Sequence, residues 1–179
     1  FRNPFDLVIH SNGNLYSTDN GPSKFFPGVS NDCSSHNIIG VDGPDELNLV
    51  IEDNFYGHPN RNRGRFDENE CVYYSGSNKS PKHNAPVANL GSFVSANGIV
   101  EYKSKSFEGK MVGDLIYVDF NYGRIWRVIL SETGRGISAI SQLHEGIGEG
   151  AVDLALSPDG SIFVTHIGGV IFYLSPSSE

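Results

Sequence analysis

Apolar residues recur along the whole chain in short runs, broken by clusters of Gly, Asn, Asp, Ser and Pro. The clearest pattern is Asp6-Leu-Val-Ile-His-Ser-Asn-Gly-Asn-Leu-Tyr-Ser-Thr-Asp19, and it occurs twice. The second copy is Asp153-Leu-Ala-Leu-Ser-Pro-Asp-Gly-Ser-Ile-Phe-Val-Thr-His166. In both, Asp-Leu and two aliphatics lead through two residues to Asn-Gly or Asp-Gly. A small polar residue, an aliphatic-aromatic pair, one further residue and a Thr follow. This order predicts a strand, a tight turn at Asn12-Gly13 or Asp159-Gly160, and a second strand, because those dipeptides supply the positive φ of a two-residue hairpin turn. Gly113-Asp-Leu-Ile-Tyr-Val118 is a third, partial copy of the second strand. Leu115 and Ile162 stand 47 positions apart, and Leu15 and Leu115 stand 100 apart. One period of roughly 47–50 residues accounts for both spacings and is the mark of a β-propeller, each repeat being one four-stranded blade.

The other runs extend this all-β picture. Asp45–Ile51, Cys71–Tyr74, Ile99–Tyr102, Asp114–Val118, Arg124–Leu130, Ser138–Leu143 and Gly169–Leu174 are read as strands. Residues 23–44 form an irregular loop insert, 54–59 a turn, 60–65 a basic polar loop, and 75–97 are loop-rich. No window carries helical periodicity beyond a turn or two. At one blade per period the 179 residues hold between three and four blades, whereas propellers close with about four to eight. The chain opens at Phe1 within a motif. Residues 1–179 are therefore expected to be the C-terminal part of a larger propeller domain, with 23–44 as its insert.

Charge and composition narrow the function. A formal charge of −8 and a pI near 5.1 argue against nucleic acid or an anionic membrane as partner. No apolar run is long enough to cross a bilayer. Two cysteines, one Met and abundant Gly, Asn and Ser suit a secreted protein. Cys33 and Cys71 are read as a disulfide, which in the chain-entropy model would contribute roughly 3–4 kcal/mol by closing a loop of that length. The alternative is two unrelated thiols, or partners outside this sequence. No His/Cys spacing suits zinc. The six histidines form no catalytic signature. His10, beside the first turn, is read as a surface residue, and His166 is a weaker candidate for a central pocket. Gly146-Ile-Gly-Glu-Gly150 joins strands and is a weak nucleotide signal.

Four further motifs occur in order: Arg2-Asn3-Pro4, Asn20-Gly21-Pro22, Asp45-Glu46-Leu47-Asn48 and Tyr56-Gly57-His58-Pro59. Together they resemble the soluble quinoprotein glucose/sorbosone dehydrogenases. The run Tyr56-Gly-His-Pro-Asn-Arg-Asn-Arg-Gly-Arg65 is especially similar to the fungal-type, eukaryotic members, which often carry one cysteine in an insert before Asp-Glu-Leu-Asn and another after the Arg run. The resemblance implies a six-bladed propeller that binds pyrroloquinoline quinone (PQQ) and calcium on its axis.

Position by position, it implies that Arg2 and Asn3 contact PQQ, a tricarboxylate that suits cationic and amide donors. It implies that the backbone carbonyls of Gly21 and Pro22 ligate calcium, which favours hard oxygen ligands. Asp45, Glu46 and Asn48 would shape the loop without ligating. The general-base His of the family would lie upstream of Phe1. A basic cluster of the bacterial enzymes is replaced here by Phe120-Asn121-Tyr122, leaving Arg124 as the candidate cation. The implied activity is oxidation of an aldose or related small sugar to its lactone, with an unspecified electron acceptor. The alternative is a non-catalytic secreted propeller of the Hedgehog-interacting type that binds a protein or glycan.

Overall fold

The computed structural model of the chain describes residues 1–22, 43–56 and 84–176. Among the described residues, eleven strands build three antiparallel sheets. The first contains β1 (Pro4–Ile9), β2 (Leu15–Asp19), β3 (Pro44–Val50) and β4 (Ala88–Ser92), in that order. The second contains β5 (Ala96–Glu101), β6 (Leu115–Asp119), β7 (Ile125–Leu130) and β8 (Ile137–His144), again in chain order. The third holds β9 (Ala151–Leu156), β10 (Ile162–His166) and β11 (Val170–Leu174). Each sheet is an up-and-down meander whose first strand meets its counterpart in the next sheet, β1 against β5 and β5 against β9. This is the blade arrangement of a partial β-propeller.

Packing explains why the middle sheet reads as an unbroken apolar run. All five residues of β6 are buried, and successive side chains point to opposite faces of a strand. Leu115 and Tyr117 join a core with Tyr16, Leu47 and Leu90 of the first sheet. Ile116 and Val118 join a second core with Ala151, Leu154, Ile162 and Val164 of the third. The flanking sheets are covered on one face only among the described residues: Phe5, Leu7 and Ile9 alternate along β1 and are all exposed. β4 lies within the stretch read as loop. Its only inward residues are Ala88 and Leu90, and Gly91 takes a φ of 108°, so its alternation is too short to stand out in the sequence.

The repeated hairpins are real, but their turns differ from the two-residue form. Five residues, 10–14, join β1 to β2, and of the Asn-Gly pair only Gly13 takes positive φ, at 84°. Asn12 instead accepts the Asn14 N–H on its Oδ1 at 3.0 Å, an Asx turn that removes the need for a second left-handed residue. The second copy repeats each element. Gly160 has φ 89°, and Asp159 Oδ1 accepts the Ser161 N–H at 3.0 Å. The closing bonds also match, His10 N–H to Asn14 O at 2.9 Å and Ser157 N–H to Ser161 O at 3.0 Å.

Buried tyrosines tie one blade to the next turn. The Tyr16 hydroxyl donates to the Gly134 carbonyl at 2.8 Å, and Tyr102 donates to Gly160 at 3.0 Å. His10 belongs to the same kind of joint and is not a surface residue, being 7% exposed. Its Nδ1 accepts the Asn12 N–H at 3.0 Å, so Nε2 carries the proton and donates to the Gly113 carbonyl at 2.7 Å. Beside it, Glu101 accepts the Ser11 N–H at 2.9 Å. Burial works against the Glu101 charge, yet the Ser11 bonds, with His10 and Lys103 close by, hold its carboxyl below the ordinary value of 4.5. A carboxyl depressed in the folded state stabilises above its unfolded value, and that contribution is lost as pH falls through the folded one. Glu101→Gln should therefore flatten the loss of stability on acidification below pH 4.5, read as the urea midpoint against pH. Equal slopes for variant and parent would remove Glu101 from the acid response.

Candidate functional site on one end face

In an up-and-down meander the starts of odd strands and the ends of even ones share one end. Here those ends are polar and small. Arg2 and Asn3 precede β1, Asn20, Gly21 and Pro22 follow β2, and Gly43 and Asp45 lie at the start of β3. With Phe93 and Ser95 from the link between β4 and β5, and Asn121 after β6, they line a cavity of about 230 Å³. Four of the residues singled out in the sequence, Arg2, Asn3, Gly21 and Pro22, thus share one wall.

Two buried carboxylates hold that wall by backbone N–H groups. Asp19 accepts from Arg2 N at 3.1 and 3.2 Å and from Asn3 N at 2.7 Å. The Asn20 N–H returns to the Asn3 carbonyl at 3.1 Å, and the Arg2 guanidinium donates to the Asn20 carbonyl at 3.4 Å. The segment before β1 is thereby strapped to the one after β2. Phe1 adds an apolar anchor, stacking on Tyr56 with centroids 4.0 Å apart. Asp45 accepts the Gly21 N–H at 2.8 Å on one oxygen and the Ala96 N–H at 2.9 Å on the other. Burial pushes the Asp45 carboxyl above the ordinary carboxylate range, against those two bonds and the Arg2 charge. The support assigned to Asp45 in the sequence has this physical form: one carboxylate clamps the turn after β2 to the first strand of the next sheet.

Oxygen donors in the wall are unequally committed. The Pro22 carbonyl accepts the Gly43 N–H at 2.6 Å, while the Gly21 carbonyl takes no hydrogen bond among the described residues. Asn20 is buried, and its Oδ1 has no partner among the described residues. No group of three His, Cys, Asp or Glu able to hold a metal occurs among the described residues. A cation at this wall would therefore be held by neutral amide oxygens, ligands that calcium accepts readily.

Arg124 does not line this cavity. Its Nε donates to Asp119 at 2.7 Å, and its guanidinium lies 4.3 Å from the Tyr122 ring centroid and 4.9 Å from that of Trp126. Asp119 is fully buried and also accepts from Trp126 Nε1 at 2.9 Å, so leaving would strand a buried charge. Asn121, from the segment that replaces the bacterial basic cluster, lines the cavity instead. Behind this pair, burial and the neighbouring Asp119 carboxylate push the Tyr117 phenol well above its ordinary value, so it stays neutral. His166 does not line the cavity either, since its ring bonds the Glu149 carbonyl at 2.9 Å and the Gly168 N–H at 2.9 Å. Cys33, Cys71, most of the 23–44 insert and the run from Gly57 to Arg65 lie outside the described residues.

In the sequence, Asp19 had no assigned role and Asn20 appeared only as the first residue of the Asn20-Gly21-Pro22 motif. The available signal was an Asp-Asn pair closing a strand immediately before Gly-Pro, where the chain leaves a sheet and its backbone donors need acceptors.

Comparison with known proteins bears on the family and the fold. A family model described as Glucose / Sorbosone dehydrogenase matches residues 1–169. No curated protein matches the chain. Among solved structures, a putative oxidoreductase (glucose dehydrogenase) of Thermus thermophilus is 22% identical over 92% of this chain and 39% of its own, with a TM-score of 0.58. A structure named glucose dehydrogenase is 19% identical over 91% of this chain and 40% of its own, at a TM-score of 0.63. Another of that name is 18% identical over 99% of this chain and 45% of its own, at 0.68. The chain thus spans 39–45% of the length of these structures, and identities at this level speak to the fold.

Proposed function

The chain belongs to the glucose/sorbosone dehydrogenase family, and on that premise we propose that its end-face cavity is the PQQ- and calcium-binding part of a sugar dehydrogenase that oxidises an aldose to its lactone. The observation that carries this is the convergence of Arg2, Asn3, Gly21 and Pro22 on one cavity. The donor set suits the two groups. The Arg2 guanidinium, with one hydrogen bond to the Asn20 carbonyl, keeps donors for a carboxylate. The Asn3 backbone is fixed through both its N–H and its carbonyl, so its side-chain amide projects from a rigid mount. Gly21 and Pro22 offer carbonyl oxygens for calcium.

The chemistry a bound quinone supplies is acceptance of a hydride from the sugar's anomeric C–H. This chain's contribution is to hold and orient. Arg2 and Asn3 would hold the quinone, the Gly21 and Pro22 carbonyls would hold the cation, and Asp19 and Asp45 keep those two segments from shifting. The hydroxyl proton goes to a base. Among the described residues, His10 and His166 are committed to backbone groups, and neither they nor His144 line the cavity, so none of the three is proposed as that base.

In the complete protein that contains this chain, calcium and PQQ together should give dye-linked oxidation of an aldose, and neither alone should. Asn3→Ala should weaken PQQ binding roughly tenfold, the effect of losing one hydrogen bond to a charged group. The engagement of Arg124 with Asp119 favours a second reading, a non-catalytic propeller that binds a protein or glycan. Absence of PQQ binding by the complete, folded protein would decide for it.

A further inference from the structure

We propose that the side-chain carbonyl of Asn20 is a third protein oxygen for the cation at this wall, alongside the Gly21 and Pro22 carbonyls. The inference rests on the function proposed above and names a ligand it did not include. Asn20 lines the cavity, is 6% exposed, and its Oδ1 is buried without a hydrogen-bond partner among the described residues. Folded proteins leave few such atoms, because each has surrendered its water for nothing. A buried acceptor kept unpaired in the wall of a cavity is accounted for by a guest that supplies the missing positive charge.

Coordination arithmetic points the same way. Calcium takes about six to eight oxygens, yet the Pro22 carbonyl already accepts the Gly43 N–H at 2.6 Å. Of the pair, only the Gly21 carbonyl takes no hydrogen bond among the described residues. Three consecutive residues, Asn20, Gly21 and Pro22, would then present one side-chain and two backbone oxygens. The mount is stiff, since the Asn20 N–H bonds Asn3, its carbonyl receives Arg2, and the next N–H is held by Asp45.

The test is calorimetric titration of the chelator-stripped complete protein with calcium alone, in parent, Asn20→Leu and Asn20→Asp forms. The parent should bind calcium. Asn20→Leu, near in size but without the oxygen, should raise Kd roughly tenfold or more, and Asn20→Asp should lower it, because ligand charge tunes calcium affinity. An unchanged Kd in a folded Asn20→Leu protein would overturn this inference and leave the proposed function standing. If Asn20→Leu does not fold, Asn20→Asp decides: tighter binding supports ligation, while equal or weaker binding overturns it and indicates that the amide donates. No calcium binding by the parent would overturn both the cation site and the role of Asn20.

Discussion

Gly21→Ala is expected to abolish calcium binding at the end-face cavity and to lower the melting temperature by several degrees. A Cβ at this position would overlap the Pro44 carbonyl and lie 2.9 Å from the Gly43 carbonyl oxygen. These are backbone atoms, and they have nowhere to go. Pro44 pairs with Ser92 and Asp45 with Gly91 at the start of β3, while the Asp45 carboxylate holds the Gly21 N–H from the other side. The strain must be taken by moving the turn after β2, which carries the proposed cation oxygens. Forcing a methyl into such a contact costs about 1–3 kcal/mol, and a domain of this size loses roughly 2–4 °C per kcal/mol. Gly136→Ala is the control, because its Cβ would meet only Ser131 Oγ, at 3.8 Å. Calorimetric melting and calcium titration of the two variants check the expectation. A Gly21→Ala protein that melts and titrates like the parent would show that the turn has slack the structure does not indicate.

The repeat was the most legible feature of the fold, and the reason is physical. Asp6 and Asp153 are the third residues of equivalent strands, and Asn12-Gly13 and Asp159-Gly160 close them with the same hydrogen bonds. Local chemistry repeated at a fixed spacing survives in sequence. β4 and the burial of His10 left no such trace. His10 is buried by Gly113 and Glu101, about a hundred positions away, and no local pattern encodes so distant a contact. The candidate site divides along the same line. Arg2-Asn3 and Gly21-Pro22 were visible as motifs and converge on one cavity, whereas Arg124 was placed there by its position after Gly123. That placement left out Asp119, which is fully buried and takes the guanidinium for itself. The roles of Asp19 and of the Asn20 side chain were invisible for the opposite reason: their work is to satisfy, or to await, partners that only the folded chain brings near.

Asp45→Ala is expected to be the most destabilising single change at the site. The carboxylate is 4% exposed and accepts one N–H on each oxygen, the part-buried Gly21 N–H at 2.8 Å and the buried Ala96 N–H at 2.9 Å. Ala96 is the first residue of β5 and Gly21 follows β2, so this one side chain joins two blades at the cavity's edge. Truncation leaves both donors unpaired at about 1–3 kcal/mol each, and the loss should appear in both the urea midpoint and calcium affinity. Asp45→Asn should recover only part of it, because an amide keeps one acceptor and turns its NH₂ toward the other N–H. The decisive comparison is the double variant with Gly21→Ala. Groups that act on one shared turn do not add: once Asp45 is gone, β3 can retreat from a methyl at position 21, so the combined loss should be smaller than the sum. Strict additivity would mean that the carboxylate and the glycine hold separate parts of the wall, and the single rigid turn that places the Asn20, Gly21 and Pro22 oxygens together would have to be abandoned.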